Sequence, residues 1–175
     1  MLLVALVLAA AGPGPAAGTN AAVGTVQVAR GVTEPSVYLI RKDTGASLRL
    51  TGAPVRELRN LQSATVEVLG PQQDGLLVVQ GYRIVALAGG ARPVAIGFLV
   101  PVGETGLGLS TDAGPPLPLN AQPRIRAALQ SLVGAKVWIV GEKLLSGEIK
   151  VGRYGILLRP SMAAGPDGGA GEPGH

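Results

Sequence analysis

The sequence predicts a mainly β protein in which one five-stranded unit with a short helix occurs twice. Apolar residues recur at matching spacings in residues 58–85 and 129–158. Between the turns, apolar and polar residues alternate, which is typical of strands with one buried face. Each copy also has a proline shortly before a Leu-x-x-Leu pair, and proline is tolerated at the first position of a helix. The period of about 70 residues exceeds that of solenoid repeats, so it indicates a duplicated domain.

The two copies share a framework of apolar residues and glycines. The matching positions, first copy before second, are Leu58 and Leu129, Leu61 and Leu132, Ala64 and Ala135, Val66 and Val137, Val68 and Ile139, Gly70 and Gly141, Gly75 and Gly147, Leu77 and Ile149, Val79 and Val151, Tyr82 and Tyr154, and Ile84 and Ile156. The spacing differs by one residue, in the loop before the second glycine.

In the first copy, alternation predicts three strands before the helix and two after it. The predicted strands are residues 24–29, 37–41, 47–50, 64–69 and 76–87. Pro54 opens the helix, and Gly81 predicts a bend or bulge in the last strand.

The second copy repeats this order. Its predicted strands are residues 94–100, 107–110, 117–119, 135–140 and 148–158, and Pro123 opens its helix. The predicted organisation is a signal peptide and spacer at 1–22, repeat 1 at 23–88, repeat 2 at 93–159, and a disordered tail at 160–175.

Both copies resemble OB-fold domains of bacterial proteins, many of which are exported. The pattern stands as Leu58-x-x-Leu61, Val66-Glu67-Val68-Leu69-Gly70 and Leu77-Val78-Val79, and again as Leu129-x-x-Leu132-Val133-Gly134, Val137-Trp138-Ile139-Val140-Gly141 and Ile149-Lys150-Val151. The resemblance implies two OB-like five-stranded barrels in tandem, each with one helix between strands 3 and 4. It implies little about function, since OB barrels have many ligands. The strand pattern alone also fits another small barrel or a sandwich.

Residues 2–11 form an apolar run that is too short to span a bilayer but matches a signal-peptide core. Small residues suitable for cleavage follow, although a basic region before the run is missing. We therefore expect an exported protein, periplasmic or extracellular, without an integral membrane span after signal removal.

The composition of the chain excludes several kinds of catalytic and metal chemistry. Hydrophobic residues make up 47% of the 175 residues but aromatic residues only 3%, so the core is aliphatic. The lack of cysteine excludes disulfides and thiolate chemistry. His175 is the only histidine, which excludes Ser-His-Asp triads and most transition-metal sites. We expect no cofactor, no metal site and no enzymatic activity.

One motif would contradict that expectation. Residues 43–47, Asp-Thr-Gly-Ala-Ser, resemble the active-site motif of retropepsin-type aspartic proteases, in which two carboxylates share a proton. The second copy has Asp112 at the matching place but lacks the threonine, and Arg41 and Lys42 precede Asp43 where that family has apolar residues. Aspartate and glycine are also what a tight turn requires. A turn is the better interpretation, and an aspartyl hydrolase is a remote alternative.

The best candidate for a binding surface is Tyr38 with Arg41 and Arg49, on the second and third strands of the first copy. Trp138 alternates with Val137 and Ile139, so it faces away from the core of its own copy. We expect it to contact the first copy; an exposed tryptophan would instead mark a ligand site.

These observations favour a non-catalytic binding or structural protein of the cell envelope. Its partner would be a protein, a glycan or a small anionic ligand. A tandem OB protein that binds nucleic acid is the alternative, which the net charge of +4 and the few aromatic residues disfavour.

Overall fold

The structure is a computed structural model that describes residues 20–31, 34–112 and 114–160. Its strands are β1 (Asn20–Ala29), β2 (Ser36–Arg41), β3 (Ser47–Thr51), β4 (Thr65–Gly70), β5 (Gln72–Gln73), β6 (Leu76–Val78), β7 (Gly81–Ala86), β8 (Ala95–Val102), β9 (Gly106–Ser110), β10 (Leu117–Asn120), β11 (Lys136–Lys143) and β12 (Ile149–Leu158). Its helices are α1 (Val55–Leu58) and α2 (Pro123–Gln130). The described part of the chain is mainly β, as expected. The expected signal peptide up to residue 19 and the expected tail from residue 161 lie outside the described residues.

The first sheet contains seven strands in the order β5-β6-β3-β2-β1-β4-β7, where five were expected. The predicted fifth strand is divided into β6 and β7, and β5 adds a short partner to β6. The division has a physical cause. The N–H of Val79 donates to Thr51 of β3, whereas the N–H of Gln80 donates to Leu69 near the end of β4. The strand therefore changes neighbours between these two residues, one position before the expected irregularity at Gly81.

The second sheet contains the expected five strands, in the order β10-β12-β11-β8-β9. Strand β9 also pairs with β10, so the sheet closes on itself. The β10–β12 pair is parallel and the other pairs are antiparallel. Strand β12 is continuous, and a register shift between Val140 and Gly141 stands where the first sheet has its break.

The repeated glycine at the end of β4 and within β11 has a steric reason. A Cβ on Gly70 would lie 1.9 Å from the carbonyl oxygen of Val78. On Gly141 it would lie 2.0 Å from the carbonyl oxygen of Lys150. Both contacts are with backbone, which has no room to move aside. The glycine is therefore required where the fourth strand crosses the fifth in each copy.

Each sheet has its own aliphatic core. The first includes Val26, Leu39, Leu50, Val66 and Leu77, and the second includes Leu99, Leu109, Val137, Ile139 and Ile149. The first core also receives Leu157 from β12, and Ile96, Trp138 and Val140 pack against it. Apolar side chains of the second sheet thus help to cover the first core.

Strand β1 starts earlier than the predicted boundary of repeat 1. Residues 20–22, predicted as the end of the spacer, pair with β4, and Ala22 is buried in the first core. Among the described residues, neither helix has the length and apolar character that a membrane crossing requires.

Candidate ligand-binding face and cleft

Tyr38 and Arg49 lie directly opposite each other on neighbouring strands, β2 and β3. Leu39, Leu48 and Leu50 are buried in the first core, so the alternation of strand side chains turns Tyr38 and Arg49 to the outer face. Arg49 is exposed and Tyr38 is half-buried. An aromatic ring, beside a guanidinium that has no ion-pair partner among the described residues, offers stacking and charge-assisted hydrogen bonds to one ligand.

The strand register extends this pair into a row across the sheet. Gln27 of β1 lies opposite Tyr38, Leu76 of β6 lies beside Arg49, and Gln73 of β5 lies opposite Leu76. Gln27, Leu76 and Gln73 are exposed. We call these five side chains the outer row. It combines a ring, a cation and two amides on one surface.

Arg41, the third residue of the predicted binding surface, is instead paired with Asp43. Its Nε donates to Asp43 Oδ1 at 2.9 Å, and its Nη2 donates to the other carboxylate oxygen. This pairing holds the pKa of Asp43 below its usual range and raises the pKa of Arg41. Arg41 lies three residues after Tyr38 along β2. Because side chains alternate between the two faces of a strand, this odd separation places Arg41 on the opposite face. The structure therefore brings Tyr38 and Arg49 together but not Arg41.

The second sheet has two residues paired in the equivalent register, but their side chains differ from those of Tyr38 and Arg49. Gly108 of β9 lies opposite Pro118 of β10, and each is flanked by apolar residues, as Tyr38 and Arg49 are. Glycine and proline supply neither a ring face nor a charge. Tyr38 and Arg49 are therefore dispensable for the repeated framework, which is what a binding role in one copy requires.

Two adjoining cavities lie beside α1. The larger, the α1 cleft, has a volume of about 800 Å³ and is lined by residues 50–57, Arg59 and Leu158 of β12. The smaller, the side cavity, has a volume of about 340 Å³ and lies between Glu34, Arg49 and Arg59. Residues Leu50, Thr51, Val55 and Arg59 line both. Arg49 thus links the outer row to the side cavity, and Arg59 links the side cavity to the cleft.

The guanidinium of Arg59 is held only weakly by its ion-pair partner. Its Nη2 lies 3.3 Å from Oε2 of Glu34, whose side chain is 80% exposed. Its Nε is buried and, among the described residues, has no hydrogen-bond partner. A buried donor without an acceptor costs about 1–3 kcal/mol, so this side chain has donor capacity that the protein leaves unused.

Helix α1, which is only four residues long, is held by a buried acid. Glu57 is 9% exposed and lies 2.8 Å from Nζ of Lys136 on β11. It also accepts a hydrogen bond from the hydroxyl of Tyr82 on β7. Burial, together with the neighbouring carboxylate, raises the pKa of Tyr82 well above its ordinary value. This cluster joins α1 to both sheets and positions Arg56 and Arg59 at the cleft.

Trp138 lies between the sheets. Its ring covers Gly155 on the neighbouring strand, where an added Cβ would lie 2.3 Å from Cζ2. The guanidinium of Arg153 lies 5.9 Å from the ring centroid. The side chain packs, partly buried, against the first core and lines a small cavity of about 190 Å³ with Asn60, Gln62 and Leu87.

Asp43 has the surroundings of a turn residue. Its carboxylate accepts hydrogen bonds from Arg41 and from the backbone N–H of Thr44, all within the β2–β3 connection. The cause of its lowered pKa is the hydrogen bond from Arg41, whereas a protease aspartate shares a proton with a second carboxylate. Asp112 lines a different cavity, with Tyr82 and Lys136. In the described part of the chain, no group of three or more His, Cys, Asp or Glu side chains could hold a metal ion.

Sequence reasoning did not find Arg56 and Arg59. One signal was present: the repeat aligns Leu58 with Leu129, so Arg56 and Arg59 stand where the second copy has Ala127 and Gln130. A charge that occurs in only one copy is not needed by the shared framework. The adjoining cavities could not be foreseen, because they depend on how the β1–β2 connection and Leu158 approach α1.

Comparisons with known proteins identify no relative: no protein family, no curated protein and no solved structure matches this chain.

Proposed function

We propose that this chain is an exported, non-catalytic binding protein built of two OB-like units, and that the first unit binds an anionic glycan on its outer row. The observation that carries the proposal is the direct pairing of Tyr38 with Arg49 on an exposed strand face. The equivalent pair in the second sheet, Gly108 and Pro118, offers no such chemistry.

The pairing order of the strands supports the OB-like assignment. In the second sheet, the third and fifth strands pair in parallel, the fourth lies between the first and the fifth, and α2 joins the third to the fourth. The first sheet follows the same route once β6 and β7 are read as one interrupted strand. OB barrels bind oligosaccharides and oligonucleotides on the face of strands 2 and 3, which is where Tyr38 and Arg49 lie.

The chemistry of the row favours an anionic sugar over a nucleic acid. One tyrosine ring suits one sugar ring, and Arg49 suits a carboxylate or sulfate on the next. Proteins that bind single-stranded nucleic acids have successive aromatic residues along a basic groove. Here Tyr82 is bonded to Glu57 and Trp138 lies between the sheets.

Isothermal titration calorimetry with a uronic-acid tetrasaccharide tests the proposal. We expect binding that Tyr38→Ala weakens about tenfold or more, since the substitution removes the apolar ring surface against which a sugar ring would pack. Arg49→Gln should weaken it by a similar factor. Arg126→Gln, which removes an exposed arginine from α2, is the matched control and should bind normally.

Two results would contradict the proposal. One is the absence of binding by any acidic or neutral oligosaccharide. The other is tighter binding of a twelve-residue oligothymidylate that depends on Tyr38 and falls steeply with salt, which would assign the row to nucleic acid.

The proposal of export rests on the apolar run at residues 2–11. Mass spectrometry of the protein recovered from the periplasm or medium tests it. A shortened N-terminus is expected, and an intact Met1 would contradict removal of a signal peptide.

A further inference from the structure

We propose that the α1 cleft is a second binding site, separate from the outer row, that takes a small organic anion with its charged group on Arg59. The ligand class is an aryl or alkyl phosphate or carboxylate. These compounds have an apolar body and two or more anionic oxygens. The oxygens can accept hydrogen bonds from one edge of a guanidinium.

The size and lining of the cleft fit such a ligand. Small-molecule sites are usually cavities of about 300–1,000 Å³ with mainly apolar walls and a few polar groups, and the cleft measures about 800 Å³. Leu50, Val55 and Leu158 supply apolar surface, and Arg56 and Arg59 supply the charge. The wall formed by Leu158 comes from the second sheet, so the cleft exists only when both sheets are in place.

The charges around the two cavities favour an anion. Three arginines, Arg49, Arg56 and Arg59, line them against two carboxylates. One carboxylate, Glu57, is already paired with Lys136. The other, Glu34, is exposed and reaches Arg59 only at 3.3 Å. Among the described residues, positive charge therefore remains uncompensated beside an apolar cavity.

Arg59 is the centre of the site because its donors are incompletely used. A guanidinium normally grips a carboxylate or phosphate through two parallel N–H bonds. Here Glu34 takes one Nη2 donor, and the buried Nε has no acceptor among the described residues. A ligand oxyanion that displaces Glu34 would take over the Nη2 donor, which lies on the same edge of the guanidinium as Nε. We infer that Glu34 holds the place of the ligand in the free protein.

Titration of the full chain with phenyl phosphate and with phthalate, followed by calorimetry, tests the site and distinguishes the phosphate from the carboxylate source. Benzyl alcohol is the neutral probe. We expect at least one of the two anions to bind and benzyl alcohol not to bind. Arg59→Gln should weaken binding about tenfold or more, because charge-assisted hydrogen bonds to the ligand are lost.

Three further variants make the test specific. Glu34→Gln should tighten binding, because the competing carboxylate is removed. Arg126→Gln, with its arginine on α2, should bind normally. Tyr38→Ala should also leave this binding unchanged, so a failure of the outer row and a failure of the cleft are separate results. Melting curves of each variant establish that it is folded, and Arg56→Gln replaces Arg59→Gln if the latter unfolds.

The site is refuted if neither anion binds the wild-type chain, or if benzyl alcohol binds as well as the anions do. It is also refuted if folded Arg59→Gln and Arg56→Gln both bind like the wild type.

Discussion

Glu57 of α1 and Lys136 of β11 form an ion pair between the two sheets, with Nζ 2.8 Å from Oε2 and with 12% and 26% of the two side chains exposed. The residues are 79 positions apart in the chain. A carboxylate this deeply buried is tolerated because a cation and the Tyr82 hydroxyl satisfy it. The pair therefore makes the position of α1 depend on the second sheet.

Removing the cation should destabilise the protein. We expect Lys136→Met to lower the free energy of unfolding by about 2–3 kcal/mol, less than the loss of a fully buried partner because Lys136 is partly exposed. Urea denaturation measures the change. The double variant Glu57→Gln/Lys136→Met should recover part of the loss, since no buried charge is left unpaired.

The exposed pair Arg83–Glu67 provides the control, because 75% of the Arg83 side chain is exposed. Arg83→Gln should cost less than about 1 kcal/mol. Equal losses in Arg83→Gln and Lys136→Met would show that the pair between the sheets has no special role.

The raised pKa of Tyr82 predicts a dependence of stability on alkaline pH. The unfolded chain ionises Tyr82 near the ordinary value of 10.0, and the folded chain does so only at higher pH. The stabilisation by the protonated tyrosine is therefore fully present below pH 10 and is lost as pH rises above it. Tyr82→Phe should remove this part of the alkaline loss and cost about 1–2 kcal/mol at neutral pH, because Glu57 loses a donor.

Melting temperatures of the wild type and Tyr82→Phe between pH 7 and 11 measure the effect. Tyr154→Phe, at the repeat-equivalent position, is the control. Parallel alkaline slopes for the wild type and Tyr82→Phe would contradict the prediction.

Trp138 and Gly155 should be energetically coupled. Gly155→Ala places a methyl group against the indole ring, and we expect a loss of about 1–3 kcal/mol from overpacking. Trp138→Ala should cost about 2–3 kcal/mol from lost apolar burial. In the double variant the second substitution should cost much less, because the clash disappears with the ring.

Thermal denaturation of the four proteins in this cycle measures the coupling. Gly81→Ala is the control, since an added Cβ there has nothing within 4 Å. Additive losses would contradict the contact. Two well-separated transitions in the wild type would show that the sheets unfold independently despite the Trp138 contact.

The start of the folded unit can be located by truncation. A chain that begins at Val23 loses the pairs of residues 20–22 with β4 and the buried methyl group of Ala22. We expect it to be about 2 kcal/mol less stable than a chain that begins at Asn20, from one buried methyl group and several hydrogen bonds. Equal urea midpoints for the two chains would place the start of the unit after Ala22.

Much of the architecture could be predicted from local pattern. Alternation located the strands to within a few residues, because one face of each strand is buried and the other is not. The repeat identified two copies, and the two prolines located both helices. The division of the fifth strand was missed, because a single run from Leu76 changes neighbours at Val79 and Gln80, and alternation does not specify neighbours.

The candidate site was predictable only in part. Tyr38 and Arg49 were named because they stand on the predicted second and third strands of the first copy, and the structure pairs them directly. Arg41 has the same charge as Arg49, but its guanidinium donates to Asp43 two residues later. Arg59 was missed, because nothing near it in the chain indicates that its partner is Glu34 or that two cavities meet at its side chain.

The sequence by itself determined the duplication, the β class and the aliphatic cores, because periodicity is a property of neighbouring residues. Only the tertiary structure decided that Glu57 and Lys136 would pair and that the Trp138 ring would cover Gly155 while packing against the first core. It also decided that Leu158 would close the wall of the cleft beside Arg59. These contacts join residues distant in the chain, and they depend on how two closely similar units pack, which the pattern within each unit does not specify.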